Sequence, residues 1–234
     1  MLRKLTLFSL IVDIPIFLML DSPFGQNLTP YAQTIATTLV ILAFIRSYRK
    51  NSSRLRQVMI IGLFIGFTGE LIFSLGLGMY HYRLENIPLW VGFGHSLIFA
   101  SVHKIIRIPY LLKHKDTILK TLLAFIVIYS TSWFIFKNDV FGFITTVIFL
   151  ALLVLDKKSK MFFTVMFVIV VYIELVGTAM HTWYWPNILM SKFDIITSAN
   201  PPSGIALFYF LFDYIVLFIY LRLKPKLRAR YKLL

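Results

Sequence analysis

Four carboxyl side chains, Asp13, Glu70, Glu174 and Asp213, stand inside long apolar runs of the chain. An ionised carboxylate in hydrocarbon costs at least about 2.5–3.5 kcal/mol on insertion scales. Such groups are therefore protonated, paired or hydrated, and in helical bundles they face the interior and mark a site. Two of the four carry partners at helical spacing. Glu70, Ser74, Leu77 and His81 fall at i, i+4, i+7 and i+11, and Glu174, Thr178, His181 and Trp185 repeat those steps, so each set forms one face if its helix continues. Tyr209 and Asp213 are an i, i+4 pair, as are Ser9 and Asp13, although Asp13 beside Pro15 reads better as structural.

A carboxyl group buried among apolar and aromatic side chains stays protonated near neutral pH and serves as a general acid, while nearby aromatic faces stabilise a developing cation. A second carboxylate then takes a proton back or activates water. That combination suits protonation of an alkene, epoxide or enol ether in a lipid-soluble substrate. Glu70 and Glu174 are the candidate acid and base, Asp213 an additional proton-handling group, and His81, His95 and His181 relays or orienters. Tyr80, Tyr82, Trp90, Trp183, Trp185, Tyr209, Ser74 and Thr178 are the candidate substrate contacts, the tryptophans and Tyr80 and Tyr82 also reading as an interfacial aromatic belt.

The histidines and glutamates together offer the mixed nitrogen and oxygen set that zinc or non-haem iron accepts. No apolar run contains the HxxxH or ExxH pair that places two ligands on one helix face, so a metal-dependent hydrolase is a minor alternative and no cofactor is expected. There is no cysteine, which excludes disulfides, thiolate nucleophiles and Cys-based metal sites. The chain also lacks a G-x-S-x-G elbow, a P-loop and a dinucleotide fingerprint.

The elements that must position these groups are membrane helices. At 59% hydrophobic residues the 234-residue chain exceeds what a soluble core needs. Its apolar runs recur at about the 20 residues a helix needs to cross a ~30 Å hydrocarbon layer, and they do not alternate as barrel strands would. The runs 5–20, 30–46, 57–80, 87–106, 117–136, 139–155, 160–185 and 203–222 predict an all-α bundle of about eight transmembrane helices in one domain. The charged start and apolar middle of residues 1–20 resemble a signal peptide, but Asp21, Ser22 and Pro23 follow where small residues would allow cleavage, so the segment is read as a retained first helix.

The +14 net charge is distributed as short Lys/Arg clusters at 3–4, 46–56, 104–115, 157–160 and 222–232, on alternate sides of the predicted bundle. By the positive-inside rule both termini face the cytoplasm of an inner or plasma membrane, and the clusters meet anionic lipids. Nucleic acid is not an expected partner; a hydrophobic small molecule is. The long connection 186–202 lies opposite the clusters and reads as a surface loop, with a lid as the alternative.

GELIFSLGLGMYHY and IELVGTAMHTWYW share Glu, then Ser or Thr four later, then an aromatic cluster about ten later. Downstream, His95 and Tyr209 each stand seven residues after a proline. This points to two parallel four-helix repeats, 1–116 and 117–234. In size and in its sparse intramembrane carboxylates the chain resembles small isoprenoid-modifying membrane proteins, the membrane terpene cyclases of fungal meroterpenoid pathways and the carotenoid hydratases. The cyclases carry a functional Glu in an early span and a functional Asp in the last, which the resemblance places at Glu70 in GELIF and Asp213 in FLFDY. The Trp-Glu-Phe context of their Glu is missing, and the Glu174–His181 stripe has no counterpart there. The resemblance covers these two motifs and implies cyclisation or hydration of an isoprenoid. The alternative is a proton- or ion-coupled transporter in which the same carboxylates bind a cation or proton at the midplane, with Gly66, Gly69, Gly76 and Gly78 available to break a helix.

Overall fold

The computed structural model describes residues 2–156 and 159–224. The described residues are helical apart from loops and the short strands within them: α1 (Leu2–Leu20), α2 (Pro23–Leu28), α3 (Ala32–Lys50), α4 (Ser53–Glu70), a π-helical turn (Leu71–Gly76), α5 (Trp90–Ile105), α6 (Pro109–Lys113), α7 (Lys115–Lys137), α8 (Val140–Leu155), α9 (Lys160–Ala179) and α10 (Ala206–Leu223). Each predicted apolar run contains one long helix. Four of them, Ser53–Gly76, α7, α9 and α10, are long and apolar enough to cross a membrane, consistent with a membrane protein. Of the basic clusters, Lys157, Lys158 and everything from Lys226 to Lys232 lie outside the described residues.

Helix boundaries follow local chemistry. The hydroxyl of Ser52 accepts from the amide of Leu55 to start α4, and prolines at the first turns of α2 and α6 supply a helical φ where no amide partner is needed. α9, apolar on every side, is the central helix, with Phe162, Phe163, Phe167 and Val170 fully buried. α4 packs along α5 and α10, α5 also meets α3, and α9 meets α7 and α10. The outer faces carry exposed Ile128, Ile135, Phe136, Val154 and Phe218, the surface expected where a bundle meets hydrocarbon.

The four connections poor in Lys and Arg converge at one end. Arg83 donates to the Asp21 carboxylate at 3.1 Å, Asn86 donates to Gln33 at 2.9 Å, and the threonine hydroxyl of Thr197 donates to the Asn138 carbonyl. Asp139, fully buried, caps α8 through Gly142 and accepts from the amides of Ala199 and Ser203. The long connection forms its own hairpin, β3 (Ile188–Leu189) with β4 (Phe193–Thr197), in which Ile195 of β4 is 92% exposed.

Two expected helical faces do not persist. The run 57–80 stays helical only to Gly76, widening into the π turn directly after Glu70 and leaving the helix at Gly78, whose φ of +62° favours glycine. The run 160–185 stops at Ala179, and His181 sits at φ +55°. Beyond these breaks the chain is extended: β1 (His81–Tyr82) pairs antiparallel with β2 (Trp183–Tyr184), in register His81 with Tyr184 and Tyr82 with Trp183. Side chains there follow a period of two, so the 11-residue steps from Glu70 to His81 and from Glu174 to Trp185 do not measure one helix face.

Candidate active site

The β1–β2 pair determines which loop side chains point inward. Tyr82 and Trp183, opposite each other, are buried, while His81 and Tyr184 face outward with ring centroids 5.3 Å apart. Two residues along on the same inward side come Tyr80 and Trp185. All four inward rings then reach a carboxylate. Tyr80 and Tyr82 donate their hydroxyls to Glu70 Oε2 at 2.5 and 2.8 Å, and the indole N–H groups of Trp183 and Trp185 donate to Glu174 Oε2 at 2.9 and 3.0 Å. Glu70 takes its donors from 10 and 12 residues downstream, Glu174 from 9 and 11.

The third partner of Glu70 is His95, whose Nε2 lies 3.1 Å from Oε1. That approach requires Gly66: a Cβ there would stand 2.9 Å from the Cβ of His95. Gly177 does the same for the second carboxylate, because a Cβ at that position would meet the Trp183 ring at 2.0 Å. His95 also lies 4.7 Å from the Tyr209 ring and edge-on to Phe212. Burial, and after it the charge of Glu70, pushes the Tyr82 phenol well above the usual tyrosine range, so it remains a donor throughout ordinary pH.

Glu70 and Glu174 open onto one cavity of about 80 Å³. Tyr80, Tyr82, Trp90, His95, Trp183, Trp185 and Tyr209 line it too, with Phe73, Ile98, Phe208 and Phe212 among the apolar walls. Glu70 accepts two phenol hydroxyls on Oε2 and shares a hydrogen bond with His95 Nε2 at Oε1. Glu174 accepts both of its donors on Oε2, and among the described residues no hydrogen bond reaches its Oε1.

Five sequence candidates fall outside this cavity. Ser74 donates to the Tyr80 carbonyl at 3.0 Å and Thr178 to the Glu174 carbonyl at 2.7 Å, so each holds backbone at a helix end. His81 is on the outer side of β1, and His181 is exposed past the end of α9. Asp213 is buried one turn beyond Tyr209 with its Oδ2 unpartnered, and it does not line the cavity. Asp13 binds Ser9, as their spacing predicted.

Two features escaped the sequence reading. Asp21 gathers donors from Arg83, Gln33 and Trp90, the last at 2.7 Å, and so orients a ring of the cavity wall. Burial outweighs these donors and lifts the Asp21 carboxyl above its ordinary value. The phenylalanines 73, 208 and 212 form the wall toward α10, and in a chain with 23 Phe no local signal separates them from the rest. Among the described residues no three His, Asp or Glu side chains gather as a metal would need. No protein-family model, curated protein or solved structure matches this chain.

Proposed function

We propose that the protein is a membrane-embedded enzyme performing acid–base chemistry, cyclisation, hydration or hydrolysis, on a lipid or isoprenoid. One observation carries the reading: glutamates from two separate apolar helices share a mostly apolar cavity, each oriented by a pair of aromatic donors. Stability alone would be served as well by apolar residues at both positions.

The hydrogen bonds support a division of roles. Glu70, which accepts from two phenols and lies within hydrogen-bond reach of His95 as a proton relay, acts as the base. Glu174, with Oε1 turned to no protein donor, carries the acidic proton there. Glu174 protonates an alkene, epoxide or enol ether; the ring faces of Tyr80 and Trp185 stabilise the cation; Glu70 removes a proton from the adjoining carbon or from an attacking water. The proton taken by Glu70 returns to Glu174 before the next turnover.

In this reading all eight long helices cross the membrane, both termini and the basic clusters face the cytoplasm and anionic lipids, and the cavity opens toward the opposite half. The two units of a glutamate followed by a short aromatic strand, paired through β1 and β2, support two parallel repeats. Glu70→Gln and Glu174→Gln are expected to leave helix content unchanged while lowering turnover by about 10²- to 10⁴-fold, assayed on isoprenoid alkenes and epoxides supplied in lipid nanodiscs and guided by mass spectrometry of co-purified small molecules. Wild-type turnover in both variants refutes the assignment.

A transporter reading draws on a specific feature, the π turn that interrupts the helix directly after Glu70. It predicts instead that both variants abolish ion-dependent uptake into sealed vesicles.

A further inference from the structure

The cavity beside Glu70 and Glu174 holds about 80 Å³, well below the roughly 300–1,000 Å³ of pockets that enclose a whole small-molecule ligand. It accommodates a reacting end and no more. If the site acts on a lipid, the remainder of that lipid must leave the cavity through one wall.

The walls are unequal. On the side of the β1–β2 pair Tyr82, Trp183 and Trp185 are buried and each is tied by a hydrogen bond to a carboxylate. Toward α10 the wall is Phe73, Phe208 and Phe212, all partly exposed, with the Phe73 ring 4.9 Å from Phe208 and 5.7 Å from Phe212. Packing alone holds these three rings, so they move without breaking a hydrogen bond. Exposed Leu71, Ile72 and Leu75 flank them on one side, and exposed Leu211 and Ile215 on the other.

Two backbone features create this seam. The π turn Leu71–Gly76, closed by Leu77 N–H donating to the Ile72 carbonyl at 2.8 Å, widens the helix where Phe73 faces α10. Gly69, one residue before Glu70, lets the Phe212 ring lie against the helix, since a Cβ there would stand 2.1 Å from the end of that ring.

We propose that the seam between the π turn and α10, gated by Phe73 and Phe212, is a binding subsite for the linear tail of an isoprenoid whose reacting end occupies the Glu70–Glu174 cavity. This rests on the acid–base reading for the identity of the reacting end and names the substrate class of that site: a chain with one reactive terminus and a tail left in the bilayer. The tail gains little free energy by leaving lipid for an apolar seam, so the subsite shows in where the tail lies and not in how tightly it binds.

The test is photolabelling of the wild-type protein in phosphatidylcholine nanodiscs. A geranylgeraniol analogue bearing a diazirine at its tail end is compared with a phosphatidylcholine bearing the diazirine in an acyl chain. Expected is several-fold enrichment of the isoprenoid label on 71–75 and 208–215 over the exposed face of α7 around Ile128 and Phe136. Excess unlabelled geranylgeraniol should displace it, and the phospholipid probe should show no such enrichment. Identical distributions for the two probes, or isoprenoid label that the competitor does not displace, would overturn the subsite. Labelling needs no turnover and should survive Glu70→Gln: a labelled seam with no conversion of any isoprenoid refutes the catalytic reading alone, and conversion with unlocalised label refutes the seam alone.

Discussion

The ring of Tyr80 lies 4.6 Å from the indole of Trp185, centroid to centroid, so the donor that orients Glu70 touches a donor that orients Glu174. Two carboxylates on separate helices are thereby linked through one pair of side chains. A change that displaces one ring is therefore expected to disturb the other carboxylate.

A double-mutant cycle measures this link. Tyr80→Phe and Trp185→Phe each remove one hydrogen bond to a carboxylate and are expected to cost about 1–3 kcal/mol in denaturant unfolding. Tyr80→Leu and Trp185→Leu also remove the ring contact, and together they should show a coupling of about 0.5–1.5 kcal/mol, the range of aromatic pairs. Strict additivity of the leucine variants would mean that the rings do not transmit the orientation.

Gly177→Ala tests the close approach of Trp183. The added methyl would lie 2.0 Å from that ring, and the ring is held by its hydrogen bond to Glu174, so helix or indole must shift. Destabilisation of about 1–3 kcal/mol is expected, with altered near-ultraviolet circular dichroism from the displaced indole. Gly94→Ala is the control, because its Cβ would meet nothing nearer than Trp90 at 3.8 Å.

Asp21 and Arg83 should respond asymmetrically. Arg83→Met leaves a buried carboxylate without its cation and is expected to cost about 3–5 kcal/mol. Asp21→Asn keeps an acceptor for Trp90 and removes the buried charge, and should stay within about 1 kcal/mol of wild type near neutral pH. The sign of the pH dependence follows from the raised carboxyl. A group whose folded value exceeds its unfolded value stabilises the fold below the unfolded value, and this contribution is lost as pH rises through the folded one. Melting temperatures of wild type should therefore fall, relative to those of Asp21→Asn, as pH rises from the ordinary aspartate value upward. A constant difference across that range would refute the assignment.

Much of the helical frame and the meeting of Glu70, Glu174 and His95 were legible in the chain. Apolar runs locate the helices, and spans of alternating direction would bring Glu70, Glu174 and His95 to similar depths; the same reasoning also gathered Asp213, His81 and His181, and packing decides which of them reach the cavity. The Ser9–Asp13 pair was legible for a similar reason, since i, i+4 neighbours meet within any unbroken helix.

What remained hidden was the point at which helical periodicity yields to strand periodicity. YHY and WYW contain the two-residue alternation that turns Tyr82 and Trp183 inward and His81 and Tyr184 outward. Nothing local tells it apart from one more helical turn. The choice is made by pairing between segments about a hundred residues apart, whose gain exists only once both helices are packed and both carboxylates require donors. The same non-local packing places Asp213 outside the cavity and Phe212 in its wall, although the two are adjacent in sequence, because the rotation of α10 about its axis is set by its neighbours and not by its own almost uniformly apolar residues.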